Sequence, residues 1–177
     1  GLRQLKLQVP GEHNVMNAMA ALALADTLGI DSELAVDSLQ HFHGTNRRFE
    51  HKGTIGGVTI IDDYAHHPTE IATTLEAAQK HPHHTLWCVF QPHTYTRTKA
   101  LMADFAKALT LADRVVLTDI YAAREKDNLG ISSRDLQKNI QELGKECFYF
   151  PTFDEVENFL LENCIKDDML ITMGAGD

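Results

Sequence analysis

Apolar residues run almost without interruption through 14–28, "NVMNAMAALALADTL", and stop at Gly29. Such density of Ala, Leu and Met predicts a helix, and apolar character nearly all round predicts that it is buried. A glycine just past the end suits the stop. Asp31 stands where an N-cap belongs and predicts a second helix through about Gln40. "HFHGTNRRFE" then breaks the helical pattern with a glycine and an asparagine, which places a boundary between roughly 43 and 47.

Beyond that boundary the rhythm changes. "RFEHKGTIGGVTIIDDY" reads as two short strands joined by a Gly-rich turn. Pro68 suits the first turn of a helix over about 69–80. Short apolar runs at 85–90, 114–118, 147–150 and 168–173 predict strands, separated by helical patterns at about 98–110, 132–143 and 153–164. Ser132, Ser133 and Thr152 stand at cap positions before the last two helices. Strand and helix in alternation imply right-handed crossovers, hence an α/β fold with a mostly parallel sheet covered by helices on both faces. Ligands of such sheets gather at the carboxyl ends of the strands. Four loops fall on that edge: "DDYAHHP", "QPHTYTR", "TDIYAAREKDNLGIS" and "GAGD". The sequence ends directly after a strand, where a compact domain more naturally continues into a helix, so it is read as truncated there.

Composition narrows the classes. With 177 residues, 44% hydrophobic and 23% charged, the chain has the make-up of a soluble globular protein with room for a core. A formal charge of −9 argues against non-specific attraction to nucleic acid or anionic membranes. Cys88, Cys147 and Cys164 make an odd set, two of them in apolar surroundings, which fits inert thiols in a reducing cytoplasm. No signal peptide opens the sequence, and no apolar run approaches the ~20 residues of a membrane helix. "HPHH" at 81–84 reads as an exposed turn rather than a metal site.

Several clusters carry candidate chemistry, each beside a blander alternative. "DDYAHHP" puts two carboxylates and two imidazoles at a strand end; a solvated turn would do the same, but imidazoles beside carboxylates titrate near neutrality and suit proton or ligand work. "FQPHTYTRT" opens a helix with His93, Tyr95 and Arg97, and a guanidinium there meets either an anionic ligand or a surface partner. The long loop with Arg124, Glu125 and Lys126 is either functional or merely solvated. Asn14 and Asn17 share a face of the first helix, next to His13, and two amides there need partners, such as the edge of a nucleobase. Arg47 and Arg48 lie by the boundary, where ligands often sit. No G-x-x-x-x-G-K-[ST] occurs, so this sequence holds no triphosphate with a Walker loop of its own.

Taken in order, H-N-x-x-N-x-x-A-A, G-x-x-R-R-F-E, D-D-Y-A-H-H-P, F-Q-P-H-x-Y-T-R-T, D-I-Y-x-A-R-E and G-A-G-D resemble the Mur ligase family of bacterial cell-wall synthesis over essentially the whole chain. The resemblance implies a Rossmann-like carboxy-terminal domain over 44–177, preceded over 1–43 by the helical end of a central ATP-binding domain. It implies ATP and Mg²⁺ as cofactors, held mainly by the absent central domain, and phosphorylation of a muramate carboxylate followed by attack of an amine. The D-D-Y-A-H-H-P and F-Q-P-H motifs point to L-alanine and UDP-N-acetylmuramate as substrates, with the upstream domains as partners. Residue by residue, His13, Asn14, Asn17, Arg48 and Asp63 match the nucleotide side. Tyr64, His66, His67, His93, Arg97 and Arg124 match the amino-acid side, with Arg97 gripping the alanine carboxylate. Thr94 departs from relatives that carry arginine there. No residue is assigned to a metal, and none as certainly catalytic. Other readings stay open: a ligase that attaches a recycled murein tripeptide, a metal-dependent hydrolase using Asp62, Asp63, His66, His67 and His93, or a stand-alone nucleotide-binding module.

Overall fold

The computed structural model describes residues 5–9, 11–126 and 128–176, the side chain of His13 excepted. Two helices come first, α1 (Glu12–Thr27) and α2 (Ser32–Gln40). Gly29, at φ 71°, ends α1 with paired bonds: its N–H reaches Asp26 O, and Ile30 N–H reaches Ala25 O. Asp31 caps α2 through the N–H groups of Glu33 and Leu34, as its position predicts.

A hairpin follows, β1 (Glu50–Ile55) and β2 (Val58–Asp63), closed by Gly56 and Gly57 at φ 60° and 86°. Both central residues at positive φ give a turn whose twist matches that of the strands. Then come α3 (Pro68–Ala78), β3 (Leu86–Phe90), α4 (Tyr95–Ala100), α5 (Met102–Leu109) and β4 (Arg114–Leu117). The chain proceeds through α6 (Ser133–Glu142), β5 (Glu146–Tyr149) and α7 (Phe153–Asn163) to β6 (Met169–Met173). The strands form one sheet in the order β1-β2-β6-β3-β4-β5, antiparallel only between β1 and β2.

Period-two alternation divides the sheet's side chains between two faces. Ile61, Cys88, Val115 and Ile171 face α3, α5 and α6, and with Ile71, Leu75, Phe105, Leu109, Leu136 and Ile140 make the main core. Trp87, Val89 and Val116 face the other way and pack on α7 through Val156 and Phe159. Burying each such aliphatic or aromatic side chain contributes roughly 1.5–3 kcal/mol. Burial pushes the Cys147 thiol up to about 12 and that of Cys164 to about 11, and Cys88 higher still, so none is reactive at neutral pH.

Two expectations need correction. The predicted helix over 98–110 begins earlier, at Tyr95, and is broken at Leu101 (φ −115°, ψ 20°) into α4 and α5. The predicted burial of α1 is wrong as well: Met16, Met19 and Leu24 are about 60% exposed, and among the described residues of this helix only Ala18 is buried. All-round apolarity measures how much surface needs cover, not whether these residues supply it. No described helix is long and apolar enough to cross a membrane.

Candidate functional site

The parallel strands β2, β3, β4 and β6 end side by side, as the pairings Asp63–Met173, Phe90–Met173 and Phe90–Leu117 show. Their loops therefore meet at one edge. The aspartate–histidine stretch and the arginine-bearing turn lie on the same side, with the rings of His66 and His93 6.4 Å apart.

Adjacent carboxylates in β2 have opposite surroundings because successive side chains point to opposite faces. Asp62 accepts from Arg47 Nε at 3.1 Å and from Thr172 Oγ1 at 2.8 Å. The same guanidinium donates to Gly174 O and Gly176 O, at 2.7 and 2.6 Å. Arg47 is thereby fastened to the "GAGD" loop, whose Asp177 lies outside the described residues. Asp63 is 5% exposed and takes the N–H groups of Phe49 and Ala65, both at 2.8 Å. Burial pushes its carboxyl up, against the pull of those two amides, Arg48 and Thr74. Asp63 thus fastens the boundary segment to the end of β2.

On the α3 side, a cavity of about 690 Å³ is lined by Asn14, Asn17, Phe42, Arg48, Asp63 and Thr73, among others. It gathers every predicted nucleotide-side residue whose side chain is described; that of His13 lies outside the described set. Asn17 Nδ2 donates to Asn14 Oδ1 at 3.4 Å, and Arg48 is exposed with its guanidinium 6.0 Å from the Tyr64 ring. Amides and a cation over a partly apolar hollow are the chemistry that a nucleotide requires.

The predicted amino-acid residues cluster around His66. Its ring meets Tyr64 edge-on at 5.3 Å, its N–H donates to Glu70, and its Nδ1 lies 3.5 Å from the same carboxylate. Burial alone would raise Glu70, but the His66 N–H, the His66 ring, Arg48 and the His67 N–H hold it below the usual carboxylate range. His67 is exposed, and its Nδ1 accepts from Thr69 N–H at 3.3 Å, so it caps α3. His93 packs on Tyr121, 5.4 Å between rings. Burial, then the charges of Arg97 and His66, push its pKa down, which favours the neutral ring. Among the described residues, His93 Nδ1 and Arg97 Nη1 are buried side-chain atoms that find no hydrogen-bond partner.

Arg124 stays exposed at a turn, outside these contacts. Its neighbour Glu125 instead reaches α4, taking the N–H groups of Tyr95 and Thr96 and the Thr96 hydroxyl. Sequence reasoning gave no role in this cluster to Glu70, Tyr121 or Glu125, although Tyr121 and Glu125 stand in the D-I-Y-x-A-R-E stretch. Glu70 also had a local signal, standing four residues after His66 on a helix start. The four-residue spacing puts such pairs on one face.

The hydrolase reading does not fit this geometry. Asp62 and Asp63 are spent on opposite faces, and among the described residues no three His, Cys, Asp or Glu groups converge to hold a metal ion.

An open α/β domain with polar loops gathered at the carboxyl edge of its sheet and a cavity beside its first helices has the layout of a ligand-binding domain. Residues 47–176 match the family "Mur ligase, glutamate ligase domain". A UDP-N-acetylmuramate–L-alanine ligase of Agathobacter rectalis is 59% identical over 99% of this chain, which spans 38% of that relative. One from Lachnoclostridium phytofermentans is 55% identical over 98% of the chain. The crystal structure of the corresponding Thermotoga maritima ligase superposes with TM-score 0.82 at 34% identity, over 99% of this chain and 37% of that one. A murein peptide ligase from Psychrobacter arcticus gives 0.70 at 25% identity over 97% of this chain. The chain belongs to the Mur ligase family, with the fold of its carboxy-terminal domain, and spans a little over a third of its curated relatives.

Proposed function

We propose that this chain is the amino-acid-binding lid of an ATP-dependent ligase that joins L-alanine to the carboxylate of UDP-N-acetylmuramate. The observation that carries the reading is the pair of unmet buried groups, His93 Nδ1 and Arg97 Nη1, on the turn that faces His66. A buried unpaired donor is costly, and a carboxylate relieves it with a charge-assisted bond. Arg97 grips the alanine carboxylate, while His93 donates to it from Nδ1–H. Tyr64 and His66 wall the amine side, with Arg124 on the next loop, and His67 keeps its capping role.

On the other side of β2, the amides of Asn14 and Asn17 meet an adenine edge, with His13 beside them. Arg48 faces ribose or phosphate, and Asp63 holds the boundary at the ribose. ATP, bound with Mg²⁺ mainly by sequence upstream, supplies the phosphoryl group that activates the muramate carboxylate. The lid excludes water and positions the amine, which is what this chemistry requires of a protein. The amide bond forms as phosphate leaves. The tripeptide-ligase reading has weaker support, since relatives named for alanine reach 59% identity and the murein peptide ligase 25%.

The test is Arg97→Ala in the full-length protein. Losing a charge-assisted bond costs about 1.5–3 kcal/mol, so the KM for L-alanine should rise about 10- to 150-fold. Unchanged alanine affinity would remove Arg97 from this role, and alanine-independent ADP release would remove the substrate assignment.

A further inference from the structure

Around the amino-acid cleft, two loops far apart in sequence are zipped together. Tyr121 N–H donates to Pro92 O at 2.9 Å, Thr94 N–H donates to Tyr121 O at 2.8 Å, and His93 and Tyr121 pair as a single parallel bridge. Farther along, Lys99 Nζ donates to Leu129 O at 2.9 Å. Between these points sits Glu125, whose carboxylate takes three donors from the first turn of α4: Tyr95 N–H, Thr96 N–H and Thr96 Oγ1–H. Those donors hold the carboxyl below the usual range, the Thr96 hydroxyl first.

The clamp has something to hold. Thr94, which starts the turn, sits at φ 67°, a conformation that β-branched residues rarely adopt and that costs about 1–3 kcal/mol unless the surroundings enforce it. The Thr94 side chain does not cap α4. The cap comes instead from Glu125, about thirty residues later. Immediately on either side of the clamped turn stand His93 and Arg97, whose buried Nδ1 and Nη1 atoms find no partner among the described residues.

We propose that Glu125 is a positioning residue, holding the turn between β3 and α4 so that His93 and Arg97 converge on the substrate carboxylate. It touches neither substrate nor the reacting atoms. Its carboxylate fixes the start of α4, and α4 fixes Arg97. The role rests on the amino-acid-binding reading given above, so its test needs one arm that does not.

In the full-length ligase, Glu125→Gln should raise the KM for L-alanine about tenfold with kcat within about twofold. The amide has one acceptor oxygen where the carboxylate has two. Thr96→Val removes one donor and no charge, and should raise the KM about two- to threefold with thermal stability unchanged. The second arm follows the His93 ring by histidine-selective NMR without substrates. Thr96→Val, which removes a donor but no charge, should move the His93 ring resonances, because the turn that it helps to hold carries that ring. A purely structural role would lower Tm and scale all turnover together, leaving KM and those resonances unmoved, and would overturn the proposal. If Glu125→Gln does not fold, Thr96→Val decides: an unchanged KM overturns it. Moved His93 resonances in a protein without alanine-dependent turnover would uphold the clamp and sink the ligase reading instead.

Discussion

Asp168 shows what a single side chain contributes when its surroundings are complete. It lies at the amino end of β6, 2% exposed, and accepts from Thr85 N–H, Ile165 N–H and Trp87 Nε1, with His84 Nδ1 at 3.0 Å. Burial raises its carboxyl, but those donors outweigh it and hold the pKa below the ordinary value. A depressed carboxyl gives stability that is present above the unfolded value of about 3.9 and is lost as pH falls through the folded pKa. Asp168→Asn should therefore cost about 1.5–3 kcal/mol at pH 7 and flatten the decline of Tm below about pH 4. Calorimetry across pH 3–7 checks this; parallel curves for the two proteins would refute it. Asp63, with a raised pKa, acts in the opposite direction, gaining stability on acidification. Alternation along β2 let the sequence place these neighbours at a strand end. Which of the two is buried depends on Phe49 and Ala65 donating to one and Arg47 to the other, partners that no local pattern names.

At the scale of elements, local rules carried most of the fold. The hairpin and the caps at Asp31 and Thr152 are readable because each rests on contacts within a few residues, and the strands because each is a short apolar run. The Gly56–Gly57 turn offers a test. A Cβ on Gly57 would sit 2.6 Å from Lys166 Cγ, at φ 86°. Gly57→Ala should destabilise by about 1–2 kcal/mol, measured by urea unfolding with an unchanged slope. Most of that should come from the backbone, since Lys166 is flexible; a neutral result would mean the turn relaxes freely. The break at Leu101 and the early start of α4 were not legible. At the start of α4 the N–H groups of Tyr95 and Thr96 are taken by Glu125, some thirty residues downstream, and a propensity window does not reach that far. The candidate site was readable in its types of residue but not in its clamps. Motif residues such as His66, His93 and Arg97 announce chemistry, whereas Glu70, Tyr121 and Glu125 become informative only when loops meet.

For the whole molecule, the exposed apolar flank of α1 agrees with a domain that works against other sequence. Met16, Met19, Leu24 and Leu28 give that flank an apolar surface of the kind that marks an interface. The 177-residue chain by itself should show no alanine-dependent ADP release, and a hydrophobic dye should bind it more strongly than it binds a version lacking residues 1–43. Equal dye binding by the two would place the sticky surface elsewhere. The sheet also has a second rim. Its amino ends carry Asp168 and Asp113, the latter accepting from Leu86 N–H at 2.8 Å, and the exposed turn with His81 and Pro82. The candidate ligand-binding groups crowd one rim, while Asp168 and Asp113 lock the strands at the other. A fluorophore or surface tether attached at that histidine turn would give an experimenter a handle a full strand length from the chemistry, able to report melting or immobilise the protein while leaving turnover alone.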